Sequence, residues 1–160
     1  MFVELQLRAT LVNIESFIAE GEDFRWYIKI KCSNCGEVPE HFVYVSGDES
    51  SDVKGGRGTA NLVAKCKMCS RENSMSIVEG SVKAYNSDSE KFVSVVKFEC
   101  RGIEPVDFSP RTGWVATAAD SGASYTEVDL GEKEWCDYDE NEDREVGIYD
   151  LSHQFKTTKS

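Results

Sequence analysis

The chain has 160 residues, 40% hydrophobic and 29% charged, with a formal net charge of −11 at pH 7. A chain of this length buries about 68–70% of the surface its unfolded form exposes, which supports a core without disulfide staples and excludes a disordered tail or a miniature scaffold. Phosphate backbones are held through Lys and Arg with release of counterions, so the acidic balance argues against general nucleic-acid binding.

Along the chain, Leu5, Leu7, Ala9 and Leu11 alternate with Gln6, Arg8 and Thr10. A period of two predicts a strand with one buried face. Trp26 to Cys32 repeats the pattern, with Trp26, Ile28, Ile30 and Cys32 on the apolar side and Lys29 and Lys31 on the other. Phe42 to Val45, Ile77 to Val82, Val93 to Cys100 and Val146 to Phe155 also read as strands, separated by Gly, Asn, Asp, Ser and Pro. Ala60 to Lys65 is the best short helical candidate. No apolar stretch approaches the roughly 18 residues of a spanning helix. The start, Met1-Phe2-Val3-Glu4, lacks the basic region and apolar block of a signal peptide, so a cytoplasmic chain, with the nucleus as a further location, is expected. Such a compartment keeps thiols reduced and makes the six cysteines ligands or buried thiols before disulfides.

The predicted class is mainly β, built as two related antiparallel modules of sandwich or barrel type. Phe24 and Phe92 each stand eight residues before a cysteine, Cys32 and Cys100, and the intervening segments align. Both halves close on alternating strands, at Ser74 to Tyr85 and Glu145 to Phe155. The expectation is an internal repeat with pseudo-twofold packing: residues 1–73 carrying the metal knuckles and residues 74–160 carrying none, packed as one compact unit.

Cys32-Ser33-Asn34-Cys35 and Cys66-Lys67-Met68-Cys69 form two C-x-x-C pairs with 30 residues between them. A two-residue spacer lets a tight turn aim both sulfurs at one point, and two such knuckles complete a tetrahedron. Soft sulfur donors in fourfold coordination select zinc over oxygen-seeking cations, at Zn–S distances of about 2.3 Å. Four protein sulfurs leave no open position for water or substrate, so the expected role is structural. Lys31, Lys65, Lys67 and Arg71 flank the cysteines and offset the charge of −2 that a zinc tetrathiolate carries. A redox pair would need a helix N-terminus, where the neighbourhood here is β; an iron–sulfur cluster uses the same donors.

Other residues carry weaker signals. Cys100 shares its phase with Val96 and Phe98 and reads as a buried thiol; Cys136 sits among carboxylates that disfavour a thiolate. His41 and His153 have no metal-ligand spacing to the cysteines. Lys54-Gly55-Gly56-Arg57-Gly58-Thr59 lacks the spacing of a phosphate cradle and reads as a loop. Phe24 and Trp26 are in core phase, and Tyr27 is the candidate for exposure. Glu127 to Glu145 holds ten acids against two bases, read as a solvated loop.

The ordered segments Gly21 to Tyr27, Lys31-Cys32-Ser33-Asn34-Cys35-Gly36-Glu37, Lys54 to Gly58, Lys65 to Ser74, Phe98 to Phe108 and Val146-Gly147-Ile148-Tyr149 resemble the eukaryotic CXXC motif-containing zinc-binding protein family, from about Leu5 to Phe155. The resemblance implies a small cytosolic all-β protein with one zinc on Cys32, Cys35, Cys66 and Cys69 and no established catalytic activity. The reading is a monomeric, non-enzymatic binding or adaptor module with a protein partner, no membrane and no nucleic acid. The alternatives are a thiol oxidoreductase using Cys100 or Cys136, and a metal-handling protein.

Overall fold

A computed structural model describes residues 1–53, 58–86 and 91–159. In chain order the strands are β1 Phe2–Val12, β2 Ile14–Ala19, β3 Trp26–Cys32, β4 Val43–Val45, β5 Ser51–Asp52, β6 Thr59–Ala60, β7 Leu62–Lys65 and β8 Glu72–Ile77. They continue as β9 Tyr85–Asn86, β10 Val93–Arg101, β11 Ile103–Ser109, β12 Trp114–Ala118, β13 Ser124–Val128, β14 Trp135–Asp139 and β15 Arg144–Thr158. No helix occurs among the described residues. Ala60 to Lys65, the helical candidate, divides between β6 and β7, where Asn61 accepts the Ile77 N–H through its side chain at 2.8 Å. Ile77 ends β8 instead of starting a strand toward Val82, because Ser81 takes over the backbone pairing, its hydroxyl accepting the Lys97 N–H at 3.1 Å.

All pairings between strands among the described residues are antiparallel. The largest sheet runs β14-β15-β1-β10-β8-β7; two smaller ones run β11-β3-β4 and β13-β12-β2-β9, and β5 pairs with β6. The order of the largest sheet is palindromic. An axis between β1 and β10 exchanges β1 with β10, β15 with β8, β14 with β7, β2 with β11, β3 with β12 and β4 with β13. Asn13 (φ 54°) and Gly102 (φ 80°) occupy matching turns, β1 to β2 and β10 to β11. Trp26 and Trp114 open the matching strands β3 and β12 and meet near this axis, ring centroids 5.7 Å apart at 88°.

The repeat is therefore present in a different register from the one expected. Val93 to Cys100 corresponds to β1, not to Trp26–Cys32, whose partner is β12. A period-two strand followed by a glycine turn is a local pattern, and it says nothing about which neighbour a strand bonds. The boundary at residue 73 also moves: it falls inside β8, which pairs with β7 at the close of the first half. The related segments are Phe2–Ile77 and Val93–Thr158.

The two halves exchange strands. β1 bonds β15, β10 bonds β8, β2 bonds β12 and β3 bonds β11; all four pairs cross between halves, as does the central β1–β10 pair. One core results, containing Leu5, Leu7, Ile28, Val96, Phe98, Trp26, Trp114, Ile148 and Leu130. The alternation of β1 and β3 is as read from the sequence, while β10 departs at one point. A register shift opposite Leu5/Gln6 makes Val95 an extra residue, and Val95 and Val96 are both buried.

Because each half supplies strands to the other's sheets, neither half satisfies its own backbone groups. A fragment ending at Asn86 and one beginning at Lys91 should each lack β signal in far-ultraviolet circular dichroism and recover it on mixing; a folded isolated fragment would contradict this account.

Candidate metal centre

Two turns of the same design carry the four cysteines. Cys32 ends β3, buried at 4% exposure, and the chain reverses so that the Gly36 N–H donates to Cys32 O at 2.8 Å and the Cys32 N–H to Glu37 O at 2.9 Å. Gly36 supplies the left-handed conformation the turn requires, with φ at 81°. After β7, the Ser70 N–H donates to Cys66 O and the Cys66 N–H to Arg71 O, both at 2.9 Å. Ser70 stands where the first turn has glycine and holds φ at 64°, a strained conformation for a side-chain-bearing residue that the two closing hydrogen bonds maintain.

The sulfurs of Cys32, Cys35, Cys66 and Cys69 all lie within 4.8 Å of one another. Cys32 Sγ is 3.8 Å from Cys69 Sγ, and Cys35 Sγ is 3.5 Å from Cys66 Sγ. A zinc tetrahedron with bonds of about 2.3 Å has edges of about 3.8 Å, so the spacing and the all-sulfur donor set both fit zinc. The first turn hangs from the β11-β3-β4 sheet and the second joins β7 to β8 in the six-stranded sheet. An ion shared by the four sulfurs would join the two sheets at their ends.

Electrostatics favour deprotonation unevenly. The Cys35 N–H, with further help from the Asn34 N–H, brings Cys32 down to about 6 against the opposing effect of burial. Cys69 is lowered first by the Asn34 side chain and then by the Arg71 N–H. The Glu37 N–H pulls Cys35 the same way, but desolvation and hydrogen bonds with Cys66, Cys69 and Cys32 prevail and push it up to about 12. Sulfurs this close cannot all carry charge unaided; a dication among them removes that conflict.

Asn73 is a residue the sequence reading passed over. It is 3% exposed, with its side chain 3.5 Å from Cys32 Sγ, and in the amide orientation its surroundings favour its nitrogen donates to the carbonyls of Glu72 and Gly102 at 3.3 and 3.2 Å. The available signal was its place in a strand, where asparagine is disfavoured unless it has a specific partner. Gly102 has a part in the same arrangement: its carbonyl accepts the Ser33 N–H at 2.9 Å. A Cβ at Gly102 would collide with the Asn73 side-chain amide. Of the flanking cations, Lys31 pairs with Glu104 at 3.5 Å, and Arg71 reaches Asn34 Oδ1 at 3.5 Å across the two turns.

The chain residues 4–156 match the model of the family described as CXXC motif containing zinc binding protein, eukaryotic. This chain belongs to that family. The zinc-binding relatives bearing the family description include one from Bos taurus, 52% identical over 96% of both chains, and one from Homo sapiens, 50% identical over the same shares. A solved structure titled Crystal Structure of C1orf123 is 48% identical and superposes with a TM-score of 0.94 over 99% of this chain and 100% of that one. A hypothetical protein from Plasmodium falciparum, 24% identical, shares the fold alone, with a TM-score of 0.88 over 98% of this chain and 99% of that one. Zinc is thus the family's metal, and the four-sulfur cluster is sized for one ion.

The remaining candidates lie apart from this zinc-family centre. Cys100 is 2% exposed opposite Met75, and burial pushes its thiol up to about 12. Cys136 is exposed on β14 opposite Gly147. Neither gains a partner arrangement that would activate a nucleophile, so the oxidoreductase alternative finds no support. His153 packs against Phe108 and Phe155 and lies 3.3 Å from Asp107, its pKa lowered chiefly by burial; His41 is exposed. Tyr27 is half-buried, covered by the Arg111 guanidinium 3.8 Å from its ring centroid. Lys54-Gly55-Gly56-Arg57 lies outside the described residues.

Gly102→Ala forces a side chain onto the left-handed φ and displaces Asn73, for an expected loss of about 1–3 kcal/mol in denaturant unfolding, together with faster metal release. Cys100 should label with iodoacetamide at neutral pH only as fast as the protein unfolds, which mass spectrometry of the intact protein measures; rapid labelling of the folded chain would contradict its burial.

Proposed function

We propose that Cys32, Cys35, Cys66 and Cys69 hold one zinc ion as a permanent structural lock, and that the protein is a non-catalytic binding or adaptor module for another protein. The observation that carries this reading is the convergence of four sulfurs from two preformed turns within 4.8 Å. Protein atoms fill every coordination position, so no water can be activated there and no substrate oxygen polarised. Zinc binding to such sites is worth about 10–16 kcal/mol in small metal-dependent peptides, comparable to the entire stability of an ordinary domain. The acidic charge of −11 favours protein over nucleic acid as partner. A reducing compartment, the cytoplasm and with it the nucleus, keeps the four thiols available, and a monomer with one core needs no second chain to complete the site.

Exposure of Cys35 favours one competing reading, that the ion exchanges with a client protein. Elemental analysis of protein purified without added metal should give one zinc per chain, and a graded series of chelators should extract it only as the β signal collapses. Acidification acts in the same direction, because protonation of the sulfurs competes with the metal: zinc retention should fall as pH falls. Rapid extraction from a chain that stays folded would replace the structural lock with metal exchange.

A further inference from the structure

The twofold that relates the halves carries the knuckle turns with it. The Cys32 N–H bonds Glu37 O, the Gly36 N–H bonds Cys32 O, and the Ser33 N–H bonds Gly102 O, at 2.9, 2.8 and 2.9 Å. After β12 the Ala118 N–H bonds Ala123 O, the Gly122 N–H bonds Ala118 O, and the Ala119 N–H bonds Asn13 O, at 2.8, 3.1 and 2.9 Å. Gly36 and Gly122 share a left-handed backbone, φ 81° and 70°. At the second turn, Cys66 faces Arg71 as Asp139 faces Arg144, and the left-handed residues Ser70 (φ 64°) and Asp143 (φ 54°) correspond.

These matches fix the equivalents of the four sulfur positions as Ala118 for Cys32, Ser121 for Cys35, Asp139 for Cys66 and Glu142 for Cys69. Where Cys35 and Cys66 approach to 3.5 Å, Ser121 Oγ donates to Asp139 Oδ2 at 2.6 Å. Asp139 is 1% exposed, and its Oδ1 accepts the N–H groups of Asn141 at 3.0 Å and Glu142 at 3.4 Å. They stand two and three residues further on, as do the Asn34 and Cys35 amides that favour the Cys32 thiolate. Arg144, in the place of Arg71, donates to Ala119 O at 3.2 Å and Asp120 Oδ2 at 2.8 Å. Ala118 is core, and Glu142 is exposed.

We propose that the turn of residues 118–123 and the turn of residues 139–144 form a metal-free counterpart of the four-cysteine centre, in which the Ser121–Asp139 hydrogen bond joins the turns that an ion joins at the other end. A buried carboxylate needs several donors to stay ionised, and here Ser121 and two backbone amides provide them while Arg144 supplies the opposite charge. The Ser121 hydrogen bond is also the leading cause of the lowered pKa of Asp139. One end of the fold then depends on metal and reduced sulfur, and the other on neither. The word counterpart rests on the zinc reading of the cysteines; the Ser121–Asp139 join does not.

A double-mutant cycle on the intact protein tests the join. Ser121→Ala and Asp139→Ala should each lower the melting temperature by about 3–10 °C, combine with clear non-additivity, and raise hydrogen exchange at the Asn141 and Glu142 amides at least tenfold. Zinc content should not change from the wild-type value. Additive effects, or a Ser121→Ala protein with unaltered melting and exchange, would overturn the proposal. The geometry is tested separately by combining Ala118→Cys, Ser121→Cys, Asp139→Cys and Glu142→Cys, which should double the metal bound per folded chain and double the thiolate-to-cobalt absorbance of the cobalt-loaded protein. A folded variant with the wild-type metal content would refute the positional match. Wild-type protein without metal would instead refute the zinc reading and leave the cycle interpretable.

Discussion

Leu5 and Val96 face each other where β1 pairs with β10, at the centre of the six-stranded sheet, and the rest of the molecule is arranged about that antiparallel pair. Antiparallel pairing of two like strands is compatible with a local twofold, and the further pairings come in two copies related by it, those of β5 with β6 and β2 with β9 apart. The exchange of strands follows from the same constraint. The first strand of one half lies beside the last strand of the other, so backbone hydrogen bonding and apolar burial are completed only between halves.

This arrangement leaves two ends at which turns from different sheets must be held together. At each end the turns are short, polar and largely exposed, and cannot be fixed by burying apolar surface. The first end converges four sulfurs. The second converges a hydroxyl, a carboxylate and a guanidinium on matched backbone positions. A metal centre is strong but depends on deprotonated, reduced thiols; a hydrogen-bonded carboxylate is weaker and independent of redox state. The asymmetry explains why all four clustered cysteines lie in the first half, whereas Cys100 is a core residue and Cys136 a surface one.

The four-cysteine centre was legible because its geometry is largely local: each pair is aimed by its own turn, and only the meeting of two turns needs the fold. The long alternating strands β1, β3, β10 and β15 were legible because one face of each is buried. β2, β11, β13 and β14 went unread, since their apolar residues pack across sheets and bulges without a sustained local period, and β12, whose Trp114, Ala116 and Ala118 alternate into the core, went unread because the pattern spans only five residues. Ile77 to Val82 was misread because an apolar run cannot tell whether a serine hydroxyl will replace its ladder partner. Asn73 and Gly102 were invisible as a pair because their contact spans two strands distant in sequence.

The sequence by itself determined the β class, the family, the metal-type donor set and the burial of Cys100, all consequences of residue chemistry and of periods within a single strand. Tertiary structure alone decided the register of the repeat, the exchange of strands, the placement of Asn73 against Cys32 and the meeting of Ser121 with Asp139. These depend on which strand bonds which. Hydrogen-bonding backbone groups are the same at every residue, so strand order is selected by the total burial and pairing of the whole chain and leaves little mark on any one segment.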